Sequence, residues 1–221
     1  MYPLSTDSNY YKDLWTKPNN HGTIFWKNVD FGKKEYKLQE HMFRQLLVSI
    51  KNLNRLHVDE REIKSVLEVG AGTGRMAKIV WNEFPNIKAY DAVDIHNKIT
   101  NAYYNTDHNL FNKINWYDLD ITGKYFDEAF RGRQYDLVLA SEVLMHIKPS
   151  DIEVVIKKVT RLLAPKGLII NMDWFFEPNA LTGGGWCFIH DYHKMYEENG
   201  LTPIFTADMK EIKQKIFCYG V

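Results

Sequence analysis

Two cysteines, Cys187 and Cys218, are all the thiols in a chain of 221 residues. So few cysteines exclude a disulfide-built scaffold. With no close His/Cys spacing, no structural zinc site is expected, and the two thiols read as reduced. A surplus of charge is lacking too. Lys+Arg and Asp+Glu both number 28, so the formal net charge is +0. Such a balance gives no general attraction to nucleic acid or an anionic membrane, and neither is expected as a partner. No apolar run approaches the ~18 residues a membrane-spanning helix needs. Positions 1–7 lack a charged region followed by an apolar stretch, so no signal peptide is read there and a cytoplasmic protein is expected. Internal repeats and low-complexity linkers are also lacking.

What is present is an ordinary globular composition, 45% hydrophobic and 25% charged. Aromatic residues stand on the high side at 14%. Several lie outside the apolar strand patterns: Tyr10, Tyr11, Trp15, Phe25, Trp26, Trp174, Phe175, Phe176 and Trp186. Residues 1–32 read as an irregular arm. Over 34–52, Leu38, Met42, Phe43, Leu46, Leu47 and Ile50 recur at helical spacing.

Strand and helix then alternate. Strands are expected at 65–69, 87–93, 114–117, 135–140 and 167–172, and helices at 75–84, 97–104, 124–130, 150–163 and 191–199. Ser150 and Asp151 read as natural caps, Pro165-Lys166-Gly167 as a turn, and Gly200 as a left-handed stop. Such alternation predicts an α/β fold, a doubly wound parallel sheet with helices on both faces. Two final strands, 202–206 and 213–219, are joined too closely for a parallel crossover and should pair antiparallel.

Glu68-Val69-Gly70-Ala71-Gly72-Thr73-Gly74 follows the first strand and opens a helix. Such a turn brings backbone N–H groups close to a ligand. Dinucleotide enzymes place their third glycine one residue later, where this chain has Arg75. That departure argues against a nicotinamide-dependent oxidoreductase.

The pattern resembles the class I S-adenosylmethionine-dependent methyltransferases, whose first motif runs acidic-x-Gly-x-Gly-x-Gly. Further segments resemble the family in order: Tyr90-Asp91-Ala92-Val93-Asp94, Asn115-Trp116-Tyr117-Asp118-Leu119-Asp120-Ile121-Thr122, and Tyr135-Asp136-Leu137-Val138-Leu139-Ala140-Ser141-Glu142-Val143-Leu144-Met145-His146. The turn at Pro165-Lys166-Gly167 has one glycine where the family often has two. The resemblance covers residues 65 to about 221. It implies a Rossmann-like, seven-stranded, mostly parallel sheet, and S-adenosylmethionine as cofactor with S-adenosylhomocysteine as product. It places the cofactor at Glu68, Gly70, Ala71, Gly72, Gly74, Asp94, Ile95, Asp120, Ile121 and Ser141. No metal is expected. Residues 1–60 would form an arm and helix acting as a cap, and residues 61–221 the cofactor-binding core of a single domain.

The residues themselves agree. A carboxylate at a strand end suits a vicinal diol, and Asp94 stands about twenty residues past Gly74, as expected of a ribose-binding acid; it also reads as a helix cap. Asp120 competes with Asp118 for the adenine amino group. Glu68 inside an apolar strand needs a partner, which the cofactor's amino-acid end or a local turn would supply. Methyl transfer from a sulfonium chiefly needs alignment and a dry site, but a hydroxyl acceptor also needs a base. His146, at the entry to a helix, His190 and His193 are the candidates, and each also reads as a structural or solvated histidine. Glu142 would bind the acceptor or hold a histidine tautomer. The aromatic loop Asp173-Trp174-Phe175-Phe176-Glu177-Pro178 and Trp186 would wall a pocket, and the N-terminal arm would close as a lid, though each ring alone also reads as packing.

A small polar metabolite such as a sugar, methylated on oxygen or nitrogen by a monomer or homodimer, is the leading expectation. A methyltransferase acting on RNA or protein, and a non-catalytic cofactor-binding subunit, remain open beside it.

Overall fold

The computed structural model describes residues 32–55, 62–95, 112–174 and 187–221. The aromatic arm before residue 32, the helix expected at 97–104, and Phe175, Phe176 and Trp186 lie outside the described residues. Seven strands form one sheet: β1 (Ser65–Val69), β2 (Ala89–Asp94), β3 (Asn115–Asp118), β4 (Tyr135–Ser141), β5 (Leu163–Trp174), β6 (Thr202–Met209) and β7 (Gln214–Gly220). Their order is β3-β2-β1-β4-β5-β7-β6. The first five pair in parallel, and β7 runs antiparallel between β5 and β6. The mostly parallel sheet with its antiparallel end is the one expected.

The inner strands are apolar on both faces because both faces are covered, while the edge strands β3 and β6 are largely open. On β4, Leu137 and Leu139 point to one core, Val138 and Ala140 to the other; on β7 the same split separates Ile216 and Cys218 from Phe217 and Tyr219. The first core is closed by α1 (Lys34–Arg55), through Phe43, Leu46, Leu47 and Ile50, and by α2 (Arg75–Glu83), through Met76, Ala77, Ile79 and Val80. The second is closed by α3 (Lys124–Ala129), α4 (Ile152–Thr160) and α5 (Tyr192–Glu198), through Phe126, Ile152, Val155, Ile156, Val159, Tyr192 and Tyr196.

Three local expectations change. Pro165-Lys166-Gly167 is not a turn before the strand but part of β5. Pairing with β4 shifts between Tyr135 and Leu137, and Lys166 takes φ 66 at that irregularity. Neither Ser150 nor Asp151 caps α4 with its side chain: the Ser150 hydroxyl donates to Asp151 Oδ1 instead, and the helix begins at Ile152. His146 does not open a helix; it ends a short 3₁₀ turn, Leu144–His146. Asp191 does cap α5, accepting from the Lys194 amide at 3.1 Å, and Gly200 takes φ 80 beyond it.

The chain crosses from one half of the sheet to the other between β1 and β4. In open α/β sheets a crevice forms there, outside the strands' C-terminal ends. Val69 pairs with Val93 on one side and Ala140 on the other, so the glycine turn, the end of β2 and the end of β4 come together at that edge.

Candidate active site

Three glycines shape the turn after β1. Gly70, Gly72 and Gly74 have φ 65, 53 and 70, a region costly for residues with a Cβ. The Ala71 amide donates to the Val93 carbonyl at 3.0 Å, and the Gly72 amide to Asp94 Oδ2 at 2.8 Å. Asp94 at the end of β2 therefore holds the turn as well as facing the cavity. A second turn follows β3. There the Thr122 amide and hydroxyl both donate to Asp120 Oδ1, at 2.8 and 2.7 Å.

A cavity of about 640 Å³ opens over these turns. Glu68, Gly70, Ala71, Gly72, Asp94, Ile95, Asp120, Ile121, Ser141, Glu142 and His146 all line it. Gly74 shapes the turn without reaching the lining. Glu68 is buried, and the Tyr90 hydroxyl donates to its Oε2 at 2.7 Å. Desolvation pushes its carboxyl up to about 7, against that hydrogen bond and the pull of Arg75.

His190 and His193 stand apart from the cavity lining. His190 Nε2 contacts the Ile147 carbonyl at 3.0 Å, and burial lowers its pKa to about 4, so it is neutral. His193 Nδ1 meets the Tyr219 hydroxyl, and its ring packs edge-on against Phe217 and Tyr219. His146 reaches the lining from the 3₁₀ turn, with Nδ1 3.6 Å from Cys187 Sγ. Among the described residues no group of three or more His, Cys, Asp and Glu converges where a metal ion could sit.

One wall was not foreseen. Tyr36 and Gln39 of α1, Arg75 of α2, and Gln214 of β7 face the cavity beside Glu142. Gln214 Nε2 donates to Glu142 Oε1 at 2.7 Å, and Gln39 Nε2 donates to Gln214 Oε1 at 2.9 Å. Arg75 donates to Gln39 Oε1, lies 3.4 Å from Glu40 Oε1 and 3.8 Å from Glu142 Oε2, and sits over the Tyr36 ring at 5.2 Å. Burial, with Glu142 and Glu35 nearby and Arg75 opposing, pushes the Tyr36 hydroxyl up to about 12. Glu142 itself holds φ 56, strained for a residue with a side chain. The legible signal for Gln39 was a polar residue on the buried stripe of α1, one turn before Phe43.

The strand order and the cavity at the switch point define a Rossmann-like α/β protein. Residues 38–207 match the family described as methyltransferase domain. The chain belongs to that family, as a class I S-adenosylmethionine-dependent methyltransferase.

It is 30% identical over 110 residues to the hybrid PKS-NRPS synthetase mpsA of Macrophomina phaseolina (strain MS6), a stretch covering 49% of this chain and 3% of that protein. It is 28% identical over 112 residues to an uncharacterized methyltransferase of Staphylococcus carnosus (strain TM300), 51% of this chain and 48% of that one. Thus it spans less than half the length of either relative. Its fold is similar to the N-methyltransferase NodS of Bradyrhizobium japonicum WM9, solved with S-adenosyl-l-homocysteine. There the TM-score is 0.57 at 15% identity, covering 81% of this chain and 86% of that one.

Proposed function

We propose that this chain transfers a methyl group from S-adenosylmethionine to an oxygen or nitrogen of a small polar metabolite such as a sugar. The observation that carries the reading is the continuity of one cavity. It runs from the glycine turn and the two strand-end acids to the polar wall of Tyr36, Glu142, His146 and Gln214.

The residues present suit the cofactor. Space over Gly70 is so tight that only a glycine fits beneath Val143, and the turn lies open to the cavity. Glu68 would meet the amino-acid end, Asp94 the ribose hydroxyls, and Asp120 the adenine amino group, with Ile95 and Ile121 against the base. Ser141 would complete the floor. When bound, the cofactor supplies an activated sulfonium methyl and so needs no acid from the protein.

The protein's part is alignment, exclusion of water and, for a hydroxyl acceptor, removal of a proton. His146 is the proposed proton acceptor. Glu142, held by Gln214 and Arg75, would hydrogen-bond the acceptor and fix its approach.

Isothermal titration tests the cofactor half: S-adenosylhomocysteine should bind and NADH should not. The reverse result sinks the whole reading. A panel of sugars, hydroxylated metabolites and amines, assayed with methyl-labelled S-adenosylmethionine, tests the acceptor half. Label appearing only on RNA or protein would overturn it.

A further inference from the structure

Lys158 is a buried cation on α4, its side chain 8% exposed. Its ammonium turns onto the loop after β3. Nζ donates to the carbonyls of Ile121, Thr122 and Gly123, at 3.1, 3.2 and 2.9 Å. It also pairs with Asp127 Oδ2 at 2.8 Å.

Three successive carbonyls aimed at one point repel each other unless a cation sits there. An ammonium offers three N–H donors, which the three carbonyls and Asp127 share. Lys158 is also rooted in a rigid element, because Val155, Ile156 and Val159 of the same helix are buried in the second core. The lysine thus pins the outer side of the 120–123 turn to the body of the fold.

The inner side of that turn faces the cavity through Asp120 and Ile121. Asp120 Oδ1 is taken by the Thr122 amide and hydroxyl, while the Gly123 amide donates to the Asp120 carbonyl at 3.0 Å. The Leu119 amide anchors the entry to the turn on the Asp94 carbonyl, but the Thr122 and Gly123 amides that close it belong to the backbone whose carbonyls Lys158 holds. With the lysine gone, the carbonyls splay, Thr122 moves, and the Asp120 carboxylate loses its orientation.

The geometry points to Lys158 as a positioning residue that sets the nucleobase preference of the cofactor site, by holding Asp120 where it accepts a hydrogen bond from an exocyclic amino group. This rests on the methyltransferase reading above. It assigns discrimination between a base with an amino group and one with a carbonyl to a side chain that does not line that cavity.

The test compares S-adenosylhomocysteine with S-inosylhomocysteine, whose base carries a carbonyl oxygen in place of the amino group. Titrations use the full chain and four variants: Lys158→Met, Lys158→Arg, Asp120→Asn and the Lys158→Met/Asp120→Asn pair. The wild type should prefer the adenosyl ligand by about tenfold or more, the worth of one lost hydrogen bond and one unpaired acceptor. Lys158→Met should collapse that ratio toward one, as Asp120→Asn does, and the pair should do no more than either alone. Lys158→Arg keeps the charge and the fold, but its planar fork cannot meet three carbonyls converging on a point, so its ratio should fall as well.

Melting temperatures are recorded alongside. A lysine that only stabilises the fold would lower them and leave the ratio untouched, and that outcome overturns the inference. If the wild type binds neither ligand, the methyltransferase reading falls first and the inference with it. If it binds both with equal affinity, the cofactor site stands and only the inference falls.

Discussion

Val143 closes over the bare α-carbon of Gly70 so tightly that a Cβ there would lie 2.4 Å from Val143 Cγ2 and 2.5 Å from Val143 Cβ. Position 70 also takes φ 65. The two penalties are independent: one is steric, the other is backbone strain of about 1–2 kcal/mol for an L-residue. Gly70→Ala should therefore displace either the turn or the loop after β4, and weaken S-adenosylhomocysteine by more than about tenfold. Gly132 is the control. It has φ 74, but nothing lies within 4 Å of an added Cβ, and it is not among the residues lining the cofactor cavity. Gly132→Ala should lose some stability and keep its affinity. Equal affinities for the two variants would show that the turn is not the binding element.

Glu68 makes the chain sensitive to pH. Its ordinary pKa of 4.5 is raised to about 7 in the fold by burial. Between those values the unfolded chain has released the proton and the folded chain still holds it, so stability falls as pH rises through the window and levels off above it. The shift corresponds to at most about 3 kcal/mol. Glu68→Gln keeps an acceptor for the Tyr90 hydroxyl and removes the titration. The melting temperature of the wild type should therefore drop relative to the variant across that window. Affinity for the cofactor's ammonium should rise over the same range in the wild type and stay flat in the variant. Parallel melting curves would place the titration elsewhere.

The fold was legible because its signals are local and repeated. Alternating strands and helices, apolar strands buried on both faces, and glycines at the β1 turn each follow from a few adjacent residues. The cavity lining that follows β1, β2, β3 and β4 was legible for the same reason: each contributor stands at or just past the end of a strand. The opposite wall was legible only at Glu142, because Gln39, Arg75 and Gln214 come from three elements and meet it only in the folded chain. Gln39 and Gln214 looked ordinary alone. Sequence position does not sort the histidines: His190 turns to the Ile147 carbonyl and His193 to Tyr219, whereas His146 lines the cavity. The β5 irregularity was hidden because a Pro-Lys-Gly run looks the same in a turn and at a bulge.

Arg75 ties α1 to the rest of the cavity wall. It reaches Gln39, Glu40 and Glu142, and its side chain is only 15% exposed. Replacing it with Met keeps much of the volume but strands buried Gln39 and leaves Glu142 without its cation. The loss should be about 1–3 kcal/mol, the cost of buried polar groups left unmet. In a chain of this size each kcal/mol is worth about 2–4 °C in Tm. Arg75→Lys keeps the charge but not the fork, and should fall between. Scanning calorimetry reads both. A Met variant as stable as the wild type would mean that α1 docks by its apolar stripe alone.

The three histidines can be separated by what each one touches. His146 lines the cavity, so His146→Asn should leave S-adenosylhomocysteine affinity unchanged and lower kcat for a hydroxyl acceptor by about 10²–10⁴, the usual worth of a general base. With an amine acceptor delivered neutral, the same variant should lose far less, because no proton must leave before attack. Burial holds His190 neutral although the Ile147 carbonyl favours its protonated form, so His190→Asn should lower the melting temperature with little change in kcat. His193→Asn should cost the contacts with Phe217 and Tyr219 and leave kcat unchanged. Turnover numbers measured beside melting temperatures separate these effects. If His190→Asn lowers kcat at unchanged stability while His146→Asn turns over at the wild-type rate, the proton goes elsewhere and His146 is a packing residue held by Cys187.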